Sequence, residues 1–385
     1  MSIFKSLRIS TVSLCLALPA LAQTDQAFKE IAQDAFGDVI AEHDIPGMVI
    51  GVTMGGQHHI YTHGMASRSM GTPVTADTLF ELGSISKTFT ATLAALAHGR
   101  GQLDLYRPVT DAEPQLDGSA FDQITIMDLA THTTTGLPLQ VPGAITTEDA
   151  LIDWLKEWQP DDSPIPMRSY SNISVGLLGR VTAAALGSSY AEAAEGTLFP
   201  MLGLENTWIT VPDAAMPNYA FGTSRKDGSE IRVNPGVFDA AAYGAKSSAN
   251  DMLRYLDIQL GKVDITPEAR DAIALTQQGQ TRTDYYTQAM IWEQYRWPAD
   301  LDTLLDGNSS KMALEGQPVT RFDRPEPPQP NIFVNKTGST FGFGAYVAML
   351  PEQDIGVVVL ANRNYPNADR VKATVALIER LDELR

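Results

Sequence analysis

Residues 80–98 read FELGSISKTFTATLAALAH, and the rest of the chain organises around them. Ser84-Ile85-Ser86-Lys87 opens a run whose apolar residues recur at helical spacing from Thr88 to His98. That places Ser84 near a helix N-terminus and Lys87 one turn later on the same face. Upstream the pattern differs. Phe28, Ile31, Ala32, Ala35, Phe36, Val39 and Ile40 predict an amphipathic helix over Asp25 to His43. Met48 to Met54 and His59 to His63 then read as two strands joined at Gly55-Gly56, a hairpin signal.

Downstream, the same run introduces a helical stretch. Ile126 to Ala130, Thr147 to Trp158, Val175 to Ala185 and Tyr190 to Phe199 predict helices separated by Pro- and Gly-rich loops. The far end of the chain mirrors the beginning. Strands are expected at Ile332 to Lys336, Gly344 to Leu350 and Ile355 to Ala361, the last two turning at Pro351 to Asp354, followed by a helix from Ala368 to Leu384. Pro325 to Pro330 reads as an extended lead-in to the first of these strands. The fold class is therefore α/β of the α+β kind: an antiparallel sheet built from both chain ends, flanked by the terminal helices, with a mostly helical region inserted. The expected division is a discontinuous sheet domain over residues 23–80 and 210–385 and a helical domain over 81–209, with the ligand site in the cleft between them.

The 385 residues are 44% hydrophobic and 19% charged, enough for a sizeable core and incompatible with wholesale disorder. A net charge of −18 repels nucleic-acid phosphates and anionic headgroups, so neither nucleic acid nor an anionic membrane surface is an expected partner. Lys5 and Arg8 precede an apolar run from Ile9 to Leu18 and the small-x-small sequence Ala20-Leu21-Ala22, the pattern of a secretory signal peptide over residues 1–22. The run falls short of the ~20 residues that span a bilayer. Cleavage would leave no membrane anchor and would remove Cys15, the only cysteine, so the mature protein would have no disulfide, thiolate or Cys-based metal site. A periplasmic location follows.

Three short motifs carry chemistry. A lysine beside a serine can take the hydroxyl proton if desolvation or positive neighbours depress its pKa, and the helix dipole favours an oxyanion there. By itself Ser84 reads better as a helix cap than as a nucleophile, since Ser2-Ile3-Phe4-Lys5 has the same spacing. Tyr170-Ser171-Asn172 lies in a polar stretch before a predicted helix; Asn172 alone would read as a turn or capping amide, and Tyr365-Pro366-Asn367 repeats the pattern. Lys336-Thr337-Gly338 ends an apolar strand, where it reads either as positive charge with close backbone access for a ligand or as an ordinary strand exit.

Ser-x-x-Lys, Tyr-x-Asn and Lys-Thr-Gly in this order, each in its predicted helix, loop and strand context, resemble the penicillin-recognising serine enzymes. Within that superfamily the chain resembles the class C serine β-lactamases, or cephalosporinases. The likeness extends to Phe80-Glu81-Leu82-Gly83, Gly136-Leu137-Pro138-Leu139-Gln140, the segment DAAAYGAK over Asp239 to Lys246 and LANRNYPN over Leu360 to Asn367. Class A enzymes are similar in plan but carry Ser-Asp-Asn in the second motif and a separate deacylating glutamate.

The resemblance implies a β-lactamase/transpeptidase-like fold and hydrolysis of the β-lactam amide of cephalosporins and penicillins, with antibiotic resistance as the consequence. It implies no cofactor and no metal, small-molecule β-lactams as partners, and a monomer. Ser84 would be the nucleophile, Lys87 and Tyr170 the coupled general base, and Lys336 the cation that lowers the tyrosine pKa and attracts the substrate carboxylate. The backbone N–H groups of Ser84 and Ser339 would hold the oxyanion. Thr337, Asn364 and Asn367 would lie by the carboxylate, Gln140 and Asn172 by the acylamino group, and Tyr243 would wall the pocket. A zinc site is not expected, since His58, His59 and His63 have no acidic cluster beside them. Phe341 stands where the family has glycine and His132 where it has tyrosine, and both are expected to bear on which lactam side chains are accepted. A D,D-peptidase or lactamase-like esterase shares the three motifs, and a penicillin-binding sensor that stays acylated is the alternative outside catalysis.

Overall fold

A computed structural model describes residues 17–384, and most of the expected signal peptide lies outside the described residues. A ten-stranded sheet forms the backbone of the fold. Its strands run in the order Thr320–Glu326, Gly279–Arg282, Thr287–Gln288, Glu293–Arg296, Ile332–Ser339, Gly344–Leu350, Ile355–Ala361, Gly47–Met54, Gln57–Ser67 and Thr72–Pro73. Every pairing is antiparallel. The two chain ends meet within it, where Ile50 of Gly47–Met54 lies opposite Val359 of Ile355–Ala361.

Both faces of the central strands are buried, so side-chain alternation sorts residues between two cores. Met48, Ile50, Val52, Tyr346, Ala348, Val357 and Val359 join Phe28, Ile31 and Phe36 of the helix Ala17–Glu42 and Val371, Leu377 and Ile378 of the helix Asn367–Arg380. Val49, Val334, Ala345, Val347, Val358 and Leu360 join the helical layer on the opposite face. Lys336 follows Val334 at the two-residue period of the strand and so faces the helical layer.

That layer centres on the helix Ser86–Gly99, almost wholly buried, with Asn172–Leu186 packed beside it. Helices Asp239–Tyr243 and Pro267–Thr276 also pack on Ser86–Gly99, and Ala249–Gln259 packs on the sheet. None of these three was among the expected helices, and the stretch expected as helical over Tyr190 to Phe199 is broken by a π-helical turn at Ala194–Leu198. His58 and His59 are held by Asp257 and Asp25, at 2.6 and 3.0 Å. Among the described residues, no helix is long and apolar enough to cross a membrane.

Candidate active site

Ser84 sits in a 3₁₀ turn, Gly83–Ile85, that runs directly into the helix Ser86–Gly99. No side chain caps either element, so the capping role open to Ser84 in the sequence is not the one it takes. Its Oγ instead accepts a hydrogen bond from Lys87 Nζ at 3.0 Å. Lys87 is fully buried and also donates to Asn172 Oδ1 and to the Ala242 carbonyl, both at 2.6 Å. Its three N–H groups are thereby all directed at acceptors. Burial draws the ammonium pKa down to about 8; Tyr170 opposes that shift and the Lys336 charge adds to it.

Tyr170 lies at the centre of a ring of cations. Lys87 Nζ, Lys336 Nζ and Arg168 Cζ stand 5.2, 5.3 and 5.3 Å from its ring centroid. Burial pushes the phenol pKa up, but the charges of Lys336 and Lys87 and a hydrogen bond with Ser84 outweigh it and bring the group down to about 8. Both groups that flank the serine hydroxyl are therefore poised to exchange protons near neutral pH.

The strand Ile332–Ser339 brings the third motif to the serine turn. Lys336 Nζ donates to the Thr337 carbonyl at 3.0 Å. Gly83 has φ +53, and a Cβ there would stand 2.3 Å from Ser339 N. The Ser339 backbone is thus laid against the turn that carries Ser84, as an oxyanion pocket shared by their two amides requires.

Arg370 secures this strand end from the other side of the sheet. Its Nη1 donates to the Gly338 carbonyl at 2.7 Å, to Ser339 Oγ at 3.0 Å and to the Ala345 carbonyl at 3.3 Å; its Nη2 donates to Asn364 Oδ1 at 2.9 Å and to the Tyr365 carbonyl. Complete burial lowers its pKa to about 10. The following turn is pinned by Thr340 Oγ1, which donates to buried Glu81 at 2.5 Å, and by the Thr340 carbonyl, which accepts from Asn364 Nδ2 at 2.8 Å.

Ser84, Lys87, Tyr170, Asn172 and Lys336 thus converge, with Thr337 and Ser339 on the adjoining strand. Asn364 joins them through Thr340 and Arg370, whereas Asn367 is engaged elsewhere, its Nδ2 donating to the Asn308 carbonyl at 3.1 Å. Tyr243 is half-buried and directly follows Ala242, whose carbonyl holds Lys87. Gln140 is exposed and follows Leu139, whose carbonyl accepts the Asn172 N–H at 2.8 Å. Phe341 is 76% exposed at the tip of the turn. His132 is 1% exposed and packs on the Tyr170 ring.

Sequence reading did not single out Arg168 or Arg370. Arg168 is buried, donating to Gln288 Oε1 and the Met312 carbonyl at 2.8 Å each and pairing with Glu293 at 3.5 Å. The one signal for Arg168 was its place two residues before Tyr170; Arg370 lay just beyond the LANRNYPN segment.

The profile of the beta-lactamase family matches residues 25–381. A beta-lactamase of Pseudomonas fluorescens is 40% identical over 355 residues, 92% of this chain and 99% of that protein. Among solved structures, a beta-lactamase from Sulfitobacter sp. EE-36 is 54% identical with a TM-score of 0.91, covering 94% of this chain and 99% of its own. A class C beta lactamase from Rhodobacter sphaeroides is 55% identical with a TM-score of 0.89, covering 91% and 99%.

Proposed function

The chain belongs to the beta-lactamase family and its structural neighbours are of class C, and on that premise we propose that it hydrolyses cephalosporins and penicillins through an acyl-enzyme on Ser84. The observation that carries the reading is the serine hydroxyl held between two groups, Lys87 and Tyr170, whose pKa values are both drawn to about 8. Ser84 Oγ attacks the lactam carbonyl carbon while its proton passes to the Lys87–Tyr170 pair. The C–N bond then breaks and the pair returns the proton to the lactam nitrogen. A water molecule attacks the resulting ester, gives a proton to the pair, and releases the acid as Ser84 Oγ is reprotonated. In both tetrahedral intermediates the negative oxygen is received by the amides of Ser84 and Ser339.

Lys336 keeps the site electropositive within an acidic protein and receives the substrate carboxylate with Thr337 and Asn364. Asn367 is assigned to the rim of that region. Asn172 and Gln140 offer amides to the acylamino group, and Tyr243 walls the pocket. We further assign residues 1–22 to a signal peptide that delivers a monomer to the periplasm, where cephalosporin hydrolysis confers resistance. Residues 23–80 with 210–385, and residues 81–209, form the two sides of the cleft.

The test is hydrolysis of a chromogenic cephalosporin by the mature protein and by Ser84→Ala, in EDTA, with mass spectrometry of the quenched reaction. Multiple turnovers and a transient adduct on Ser84, both lost in the variant, are expected. A persistent adduct without turnover would instead support a peptidase or a sensor, and activity surviving in Ser84→Ala would remove Ser84 as nucleophile.

A further inference from the structure

His132 closes the helix Ile126–Thr131 in a left-handed backbone conformation, φ 60. Its carbonyl accepts the Ser169 N–H at 2.8 Å, its Nδ1 accepts the Ser171 N–H at 3.3 Å, and its ring centroid lies 4.3 Å from that of Tyr170. One residue therefore touches three consecutive residues, with Tyr170 in the middle. We propose that His132 is a positioning residue for Tyr170, its Nδ1 acting as the acceptor that anchors the tyrosine backbone while its ring sets the tilt of the phenol. The proposal rests on the function proposed above, in which Tyr170 carries the proton.

The chemistry requires a neutral imidazole. Nδ1 accepts only when unprotonated, which places the proton on Nε2. That nitrogen is buried without a partner. Burial and the surrounding charges of Arg168, Lys87 and Lys336 hold the ring neutral, since they push its pKa well below the ordinary range. Ser171 is fixed further: its hydroxyl donates to the Pro138 carbonyl at 2.6 Å and accepts from Ser174 N at 3.1 Å, so the tyrosine segment is clamped on both sides. A phenylalanine or tyrosine side chain has no ring acceptor for the Ser171 amide, whereas asparagine Oδ1 occupies much the same place as Nδ1. The orphaned Nε2 N–H is a cost that a residue chosen for packing alone would not carry.

The test compares His132→Phe, His132→Asn and His132→Ala by cephalosporin kinetics and by NMR titration of the ¹³Cζ-labelled tyrosines, with the Tyr170 signal assigned from Tyr170→Phe. His132→Phe should lose about tenfold in kcat with KM little changed, and its Tyr170 signal should titrate about half a unit or more higher, because the phenol drifts from its two ammonium neighbours. His132→Asn should recover kcat to within about threefold of the parent and restore the titration. Should His132→Phe fail to fold, His132→Ala against His132→Asn decides the matter: asparagine is expected to be clearly the better. Equal kcat and equal Tyr170 titration in those two, or a His132→Phe indistinguishable from the parent, overturns the proposal. A parent protein that hydrolyses no lactam would refute the proposed function alone, because the tyrosine titration needs no substrate.

Discussion

A Cβ on Gly338 would stand 2.0 Å from the carbonyl oxygen of Leu82, so the strand that carries Lys336 and the turn that carries Ser84 touch backbone to backbone. No side chain fits between them. The distance from the serine to the third motif is therefore set by two glycines, Gly83 and Gly338, that leave room for direct main-chain packing.

Gly338→Ala should push the strand away from the serine turn. A shift of about 1 Å between nucleophile and oxyanion donors lowers rates by about 10²-fold, and a loss of that order in kcat/KM is expected. Steady-state kinetics with a melting curve on the same preparation checks it: a folded variant with parental kcat/KM would contradict the packing argument.

Lys336→Ala should move the acid limb of the kcat/KM profile to higher pH. The Lys336 charge lowers the pKa of both Tyr170 and Lys87, so its loss raises both, and the pair gives up a proton only at higher pH. Acylation of carboxylate-bearing lactams should also fall more than acylation of neutral esters. Equal losses for the two substrate classes would argue against a role in binding the carboxylate.

Arg370→Met removes a guanidinium that serves the carbonyls of Gly338, Ala345 and Tyr365 as well as Asn364. Buried acceptors left without donors cost about 1–3 kcal/mol each when nothing relaxes, so a destabilisation of about 3 kcal/mol or more is expected from chemical denaturation. Arg370→Lys should rescue little, because one ammonium cannot reproduce the planar fork.

Phe341→Gly alters an exposed ring on a turn fixed by Glu81 and Asn364. Stability should stay within about 0.5 kcal/mol. The ratio of kcat/KM between cephalosporins with bulky and with small acyl side chains should change by about threefold or more. An unchanged ratio across a panel of substrates would show that the ring stands clear of the acyl side chain.

The motifs were legible because their geometry is local. Ser84 and Lys87 meet through a single helical turn, and the alternation of Val334 and Lys336 along one strand decides which face the ammonium takes. The central strands were legible for the same reason, as unbroken apolar runs buried on both faces. The strands on one side of the sheet, Gly279–Arg282, Thr287–Gln288, Glu293–Arg296 and Thr320–Glu326, were not, since the first three span four residues or fewer and all four are polar, so that no apolar run marks them.

Residues whose roles depend on partners far along the chain escaped the reading. Arg168 and Arg370 look like surface charges in sequence but are completely buried, each donating to carbonyls from other segments of the chain. His132 was noticed only for its identity, because a left-handed backbone at the helix end lays its ring onto Tyr170, a residue far along the chain. Periodicity carries no information about such a reversal.

By itself the sequence determined the terminal helices, the central strands with their burial on both faces, and which side chains are chemically able to move a proton, because spacing and side-chain chemistry are properties of the chain. Only the tertiary structure decided that burial draws the amine of Lys87, and neighbouring charges the phenol of Tyr170, down to about 8, that Arg370 holds the strand end and that His132 grips the tyrosine segment. Those outcomes depend on desolvation and on charges brought within a few ångströms by folding, and neither exists until distant segments pack together.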